Sequence, residues 1–467
     1  MSANCTKQLV MEQCHDGPAA EVVRGHQRMR RINLTAISSI GFRGAMLLSA
    51  FLYIPATIRY LGPERYGLWV AMTSVITLLS FADCGLGFSL MNDVAYSIGR
   101  GIDDSVRGAV SSTFFALAGI GAAGCLLFAA AYAFIPWRTV FHATSALEGK
   151  EAAQATAVIV AGFLLTLPFT TVQRMQAAHQ EGYKTQGWEI GGVMLSLVGL
   201  LAAIRMQAGL PALAIAFSSG PLIAMVLNWI VYFRISRPWQ APRLRLFEFR
   251  LARRIAGEGW YFFILQIAGI ALFSIDSFVI LHYFGQSAFG KYSLVVKLFQ
   301  VIPALAAVWM GALWPAYAEA IARGDRRWVH RTLVRSVLAA AVGSGVVSCG
   351  VAVFSRPVVR LWTGTEVNPT ASLLVALVLY SVILVGTNAV SAYLSGCNFI
   401  RGQALLVAGQ VALSTVLKIL LCKRGDIAGA IWGTNLGYLL ITIPAYGIIV
   451  PRLTGRSQQK RSRACVS

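Results

Sequence analysis

The sequence predicts an all-α polytopic membrane protein of about 12 transmembrane helices, arranged as two pseudo-symmetric lobes of six. Three observations predict it. Of 467 residues, 57% are hydrophobic and only 13% charged, with a mean hydropathy of +0.65. A soluble domain is nearer a quarter charged, so this much apolar surface needs lipid as its solvent. The apolar residues are also gathered into runs of about 20 or more, the length a helix needs to cross a bilayer. Finally, one turn occurs twice. Tyr60-Leu61-Gly62-Pro63-Glu64-Arg65-Tyr66-Gly67-Leu68-Trp69 has a fainter copy in Tyr283-Phe284-Gly285-Gln286-Ser287-Ala288-Phe289-Gly290-Lys291-Tyr292. Aromatic, Gly, aromatic and Gly recur in register, each copy between two apolar runs, which marks one structural unit used twice.

Residues 1–31 are polar and basic without an apolar core. They are therefore not a cleavable signal peptide, and the first apolar run is an uncleaved anchor. The runs lie near 33–58, 67–97, 107–136, 153–178, 186–205 and 209–233, then 255–282, 290–318, 332–354, 370–396, 402–421 and 427–450. Helix is the only assignment that satisfies every backbone group within its own segment in lipid. The short alternating strands of a β-barrel are absent from the pattern. The expected organisation is a basic tail 1–31, an N-lobe 32–233, a basic linker 234–254, a C-lobe 255–450 and a basic tail 451–467. Six is even, so both lobes share one orientation, a parallel repeat about the membrane normal. A second echo supports the repeat: Ala178-His179-Gln180-Glu181-Gly182-Tyr183 after span four and Leu394-Ser395-Gly396-Cys397-Asn398-Phe399 after span ten.

The formal charge is +21. In a soluble chain it would suggest nucleic acid. Here the cations sit between apolar runs, so they report topology and no nucleic-acid partner is expected. With the N-terminus inside, 26 Lys and Arg fall in inside segments, Arg174 and Lys184 among them, and 9 in outside loops. Both termini are therefore expected in the cytoplasm. The linker 234–254, with Pro238, Pro242 and Arg243-Leu244-Arg245, either lies on anionic headgroups or is simply solvated. Tyr60, Tyr66, Trp69, Trp137, Trp314 and Trp362 near span ends read as interface anchors.

An ionisable residue inside the membrane is costly and is a functional candidate. The candidates are Arg43, Asp83, Asp93, Asp276, Lys297 and Lys418. Counted along the helix, Arg43 and Asp83 lie about 22 and 24 Å below the outer surface, and Asp276 and Lys297 each about 10 Å. The matching depths predict two ion pairs, Arg43 with Asp83 and Asp276 with Lys297. These pairs either lock their hairpins or line a water-filled cavity between the lobes. Asn92 and Asp93 read as a wetted interface, Gln266 and Gln300 as weak cavity lining, and Lys418 as a snorkelling end. Pro55, Pro168, Pro303, Pro315 and Pro444 can bend their helices.

No catalytic constellation is present: the sequence holds no HExxH, GxSxG or Walker A pattern, so the chain is not expected to be an enzyme or an ATP-driven pump. The eight cysteines are scattered, and Cys14-His15-Asp16 is too isolated to suggest a metal site. No metal or cofactor is expected beyond a coupling Na+ or H+.

The first turn, followed by Phe81-Ala82-Asp83-Cys84-Gly85-Leu86-Gly87, resembles the first hairpin of the Wzx-type polysaccharide flippases of the MOP superfamily. Tyr292, Lys297, Trp314-Pro315-Ala316-Tyr317-Ala318-Glu319-Ala320 and Arg323-Gly324-Asp325 extend the resemblance to the second half. It implies a V-shaped, two-lobed, monomeric transporter of the bacterial inner membrane. Spans one, two, seven and eight would line its central cavity. The implied substrate is an undecaprenyl-diphosphate-linked oligosaccharide, with polymerase and glycosyltransferases as partners. Arg43 and Lys297 then become the candidates for diphosphate contact, and Asp83 and Asp276 for ion coupling. The alternatives are a MATE-like exporter of organic cations and a channel or glycan-assembly scaffold. Lipid II flippases of the superfamily carry two further spans.

Overall fold

The computed structural model describes residues 18–464 apart from 102, 142–145 and 364–366. Cys5, Cys14, His15, Asp16, His142 and Cys465 lie outside the described residues, as do the side chains of Glu64 and Trp362. Every regular element described is helical. α1 runs Pro18–Leu79, α2 Leu86–Arg100, α3 Asp103–Tyr132 and the single turn α4 Trp137–Val140. α5, Ala146–Thr166, continues through a 3-10 turn into α6, Thr170–Ala178; α7 is Gly182–Arg205, and α8, Leu210–Ile230, ends in a π-helical turn Val231–Ser236. The second half comprises α9 Phe249–Arg323, α10 Arg326–Thr363, α11 Ala371–Gly396, α12 Ile400–Cys422, α13 Gly429–Gly437 and α14 Ile443–Ala464.

Among the described residues, 11 helical stretches are long and apolar enough to cross a membrane. They correspond to 11 of the expected spans. The remaining one, expected unbroken over 67–97, is divided. α1 stops at Leu79, the chain turns through 80–85, and α2 resumes the crossing. Cys84 and Gly85 take left-handed φ values of 46° and 74° in this turn. Tertiary contact sets the break: a Cβ on Gly85 would stand 2.3 Å from the Gly259 carbonyl oxygen of α9.

The repeat is visible in the backbone. α1 bends at Gly62 (φ 77°, ψ 166°) and α9 at Gly285 (φ 78°, ψ 179°), a region that glycine alone occupies readily. Gly101 after α2 and Gly324 after α9 are both left-handed caps, separated by the same interval. Gln180 (φ 58°) and Asn398 (φ 57°) form a third pair. There the following N–H reaches back five residues, Glu181 to Gln176 and Phe399 to Leu394, the bond that closes a Schellman turn. This pairing sets Gln180 opposite Asn398 and so shifts the second sequence echo by two residues. The break at Cys84–Gly85 has no copy: the corresponding crossing, Ser287–Arg323, is continuous.

Two further boundaries differ from expectation. Helix begins at Pro18, so residues 18–31 extend α1 rather than forming a tail, and Arg28 there is only 4% exposed. α9 begins at Phe249, which shortens the linker to 237–248.

The lobes have separate cores. Met72, Ile159, Leu200 and Leu213 form part of the N-lobe's, while Phe299, Leu313, Leu377 and Ile431 form part of the C-lobe's. Trp69 is buried in the N-lobe core and is not an interface anchor. A third cluster joins α2, α3 and α6 to Ile255 and Ala318 of α9, and Ile32 of α1 sits in the C-lobe core. The lobes thus meet near the start of α1 and the end of α2. Among the described residues, the cross-lobe hydrogen bonds and ion pairs fall at that end: Arg28 to Asp325 at 2.6 Å, Asn92 to Asn398 at 3.0 Å and Arg254 to Asp93 at 2.6 Å. Towards Gly62 and Gly285 the lobes part, which makes the V.

Candidate functional site

A cavity of about 540 Å³ lies between the lobes, above this seam. α1 contributes Arg31, Thr35, Ser39 and Arg43 at helical spacing, so one stripe of α1 faces it. α6, the turn after it and α7 add Gln173, Arg174, Gln180, Thr185, Gln186 and Glu189. The C-lobe wall is apolar, made of Ala307, Val308, Gly311, Ala312 and Pro315 on α9. Three arginines therefore face one carboxylate. Glu189 accepts a hydrogen bond from Gln173 at 3.1 Å. Arg31 donates to the His179 carbonyl at 3.3 Å. Arg43 stands exposed in this cavity, with no ion pair among the described residues.

The expected pair of Arg43 and Asp83 does not form. Asp83 faces Arg174 of α6 at 3.8 Å and accepts from the Gly85 N–H at 3.1 Å. Arg174 lies 3.9 Å over the Phe88 ring, and a Cβ on Gly87 would crowd its Nε at 2.7 Å. The glycine start of α2 thus leaves the guanidinium its place. The break in the crossing turns Asp83 towards α6. Arg174, counted among the inside cations, lies near the end of the crossing Leu147–Ala178.

The expected pair of Asp276 and Lys297 does not form either. Asp276 binds Lys418 of α12 at 2.5 Å, and Tyr292 donates to it at 3.4 Å. Lys418 also donates to the Leu272 carbonyl at 3.0 Å and is 0% exposed, so it does not snorkel. Gly433 lets α13 press against α12 at this residue, since a Cβ there would stand 2.5 Å from the Lys418 backbone nitrogen and 2.8 Å from its Cγ. This pair belongs to the C-lobe interior and not to the cavity.

Lys297 and Gln300 are exposed on the α9 stripe that continues through Ala304 to Ala307 and Gly311, nearer the open end of the V. Gln266 is half-buried and does not line the cavity. Asn92 and Asp93 are seam residues rather than cavity lining. Asn92 bonds Asn398 and accepts from Trp314 at 3.2 Å, and Asp93 pairs with Arg254. Trp314 also stacks on Phe88 and so is no interface anchor. Sequence reasoning missed Arg31, Arg174 and Glu189 as cavity residues. An acid inside the apolar run 186–205 was the available signal for Glu189.

Comparison with known proteins agrees with this architecture. Residues 33–321 match the family described as polysaccharide biosynthesis protein. A Salmonella typhi protein provisionally named an O-antigen transporter is 20% identical over 418 residues, 88% of this chain and 93% of its own. The chain shares its fold with a MOP superfamily transporter from Pyrococcus furiosus, at a TM-score of 0.74 and 14% identity, over 92% of this chain and 96% of that one. A multidrug resistance MATE family transporter in an outward-facing conformation superposes at 0.72 and 14% identity, with 92% and 97% covered.

Proposed function

The chain belongs to the polysaccharide biosynthesis protein family, and from that premise we propose that it flips a lipid-linked anionic glycan between leaflets by alternating access. The proposed cargo is an undecaprenyl-diphosphate-linked oligosaccharide, and the proposed location is the bacterial inner membrane. The observation that carries this is the cavity's charge: Arg31, Arg43 and Arg174 against Glu189, opposite an apolar wall. Guanidinium groups match phosphate oxygens in bidentate geometry. The wide V leaves the sugar a wet path, while the acyl chain stays in lipid at its open side.

Residue roles follow from placement. Arg43 is the free cation at the cavity and takes a phosphate first. Arg174 is masked by Asp83 and becomes available when a phosphate displaces that carboxylate. Lys297, farther along the same stripe of α9, receives the headgroup towards the open end. Of the acids expected to couple an ion, Asp276 is tied to Lys418 and Asp83 to Arg174. Glu189 is the cavity carboxylate left for Na+ or H+ coupling. The loop charge bias assigns the seam to the cytoplasm, so this state receives or releases cargo on the periplasmic side. Polymerase and glycosyltransferases are the proposed downstream and upstream partners.

The test is flipping of a fluorescent polyprenyl-diphosphate oligosaccharide in proteoliposomes. The wild type should flip it, and Arg43→Ala should slow flipping by about tenfold or more, since a charge-assisted hydrogen bond contributes roughly 1.5–3 kcal/mol. Efflux of organic cations without lipid flipping would refute the reading in favour of a MATE-like exporter. A Glu189→Gln variant with unchanged response to Na+ and pH gradients would remove Glu189 from coupling.

A further inference from the structure

The segment between α8 and α9 is a built surface rather than a slack tether. Its backbone is hooked to α3: the Arg243 N–H donates to Ser111 Oγ and the Glu248 N–H to Ser112 Oγ, each at 3.1 Å. Phe247 meets Phe115 edge-on with ring centres 6.4 Å apart. The inward groups are occupied. Gln240 is buried and Arg237 pairs with Glu181 at 2.9 Å, while Arg254, itself exposed, is held by Asp93. The outward face is left with large apolar side chains: Ile235 at 73% exposure, Trp239 at 48%, Leu244 at 70% and Phe249 at 73%. Exposed Arg243, Arg245, Arg250 and Arg253 are interleaved with them, and Glu248 is the single acid between 234 and 254.

Its height in the molecule is set by its neighbours. The flanking crossings are Leu210–Ser236 and Phe249–Gly285, so the strip lies where the hydrocarbon ends. We propose that it is a docking surface for anionic phospholipid headgroups. A water-facing linker would leave this apolar patch without a partner. Neutral headgroups would cover the apolar side chains but leave four arginines uncompensated. An anionic headgroup satisfies both: the side chains enter the boundary between headgroups and acyl chains, and the guanidinium groups take the phosphate charge. The strip also reaches the seam through Arg254 and Asp93, so the bound leaflet holds the joint between the lobes. This inference is independent of what the cavity carries.

The test uses the full chain. Purified protein is equilibrated with equal amounts of phosphatidylglycerol and phosphatidylcholine and examined by native mass spectrometry. The wild type should retain phosphatidylglycerol several-fold over phosphatidylcholine, and the quadruple variant R243Q/R245Q/R250Q/R253Q should bring the ratio close to parity. An unchanged preference in the variant overturns the proposal. Should that variant misfold, the wild type and Trp239→Phe are compared in vesicles containing brominated phosphatidylglycerol or brominated phosphatidylcholine. The share of quenching that disappears in Trp239→Phe belongs to Trp239 among the chain's 11 tryptophans, and a larger share with brominated phosphatidylglycerol than with brominated phosphatidylcholine supports the proposal, whereas equal shares overturn it. A Trp239 quenched by aqueous iodide but not by brominated lipid overturns it.

Discussion

Lys418 and Asp276 show how a single residue is fixed by its partner. With Lys418 fully buried, Lys418→Met leaves the Asp276 carboxylate without a counter-charge, and breaking such a pair costs about 3–5 kcal/mol. Thermal unfolding in detergent should show a clear fall in Tm. The double variant Lys418→Met with Asp276→Asn should recover much of it, because no bare charge remains. A single variant as stable as the wild type would remove the pair from the fold's support. His179 gives a pH prediction. Burial, then the neighbouring Arg237, pushes it down to about 4 from its ordinary 6.5. The unfolded chain therefore binds the proton first, and stability present above pH 6.5 is lost as pH falls towards 4. His179→Gln should flatten that part of the stability-against-pH curve. At this scale the sequence showed which apolar runs carry ionisable side chains, but of the cations Arg43 and Lys297 are exposed and Lys418 is buried. The sequence assigned the wrong partners to Asp83 and Asp276, because helical rise gives height but not which distant helix arrives at that height. Arg174 and Lys418 come from spans remote in sequence, and tertiary packing alone brings them in.

Glycine marks two elements, and its purpose differs between them. At Gly62 and Gly285 nothing lies within 4 Å of an added Cβ, so the need is conformational. Gly62→Ala and Gly285→Ala should each cost about 1–3 kcal/mol of strain, by similar amounts, if the repeat is genuine. Equilibrium unfolding of the two variants compares them directly. At Gly85 the need is also steric, because α2 starts against Gly259 of the other lobe. Gly85→Ala should lever the seam open there, read as increased labelling of a cysteine introduced at the neighbouring, exposed Trp260 in a background without other cysteines. Unchanged labelling would mean that the break absorbs the added methyl. The repeated turn was legible because both copies keep Gly in register. The break was not, because Ser80-Phe81-Ala82-Asp83-Cys84-Gly85 holds no Pro and one Gly, and apolar residues continue on both sides. The left-handed pair Cys84–Gly85 is imposed by α9, which the local sequence cannot reveal.

At the scale of the whole molecule, the N-lobe and C-lobe can be swung only if the seam lets go, and its charges decide how hard that is. Arg28, buried at the start of α1, holds Asp325 at 2.6 Å and Glu319 at 3.6 Å. Arg323 holds Glu319 at 2.8 Å, and Gln180 donates to Glu319 from the α6–α7 turn. This network ties α1 and α6 to the end of α9, so it exists only while the lobes touch. In the opposite state its charges would return to water, which offsets much of their separation. Truncating Arg28 removes the tie and leaves two carboxylates facing each other without it, which penalises the touching state alone. Each 1.4 kcal/mol of that penalty shifts the ratio of states about tenfold. Spin labels at Arg100→Cys and Arg327→Cys, in a background without other cysteines, would read the ratio. The distance distribution should be single and short with Arg28 present and should gain a longer component in Arg28→Ala. Identical distributions would mean that the apolar seam around Ile255, Ala318 and Trp314 closes the molecule without its charges.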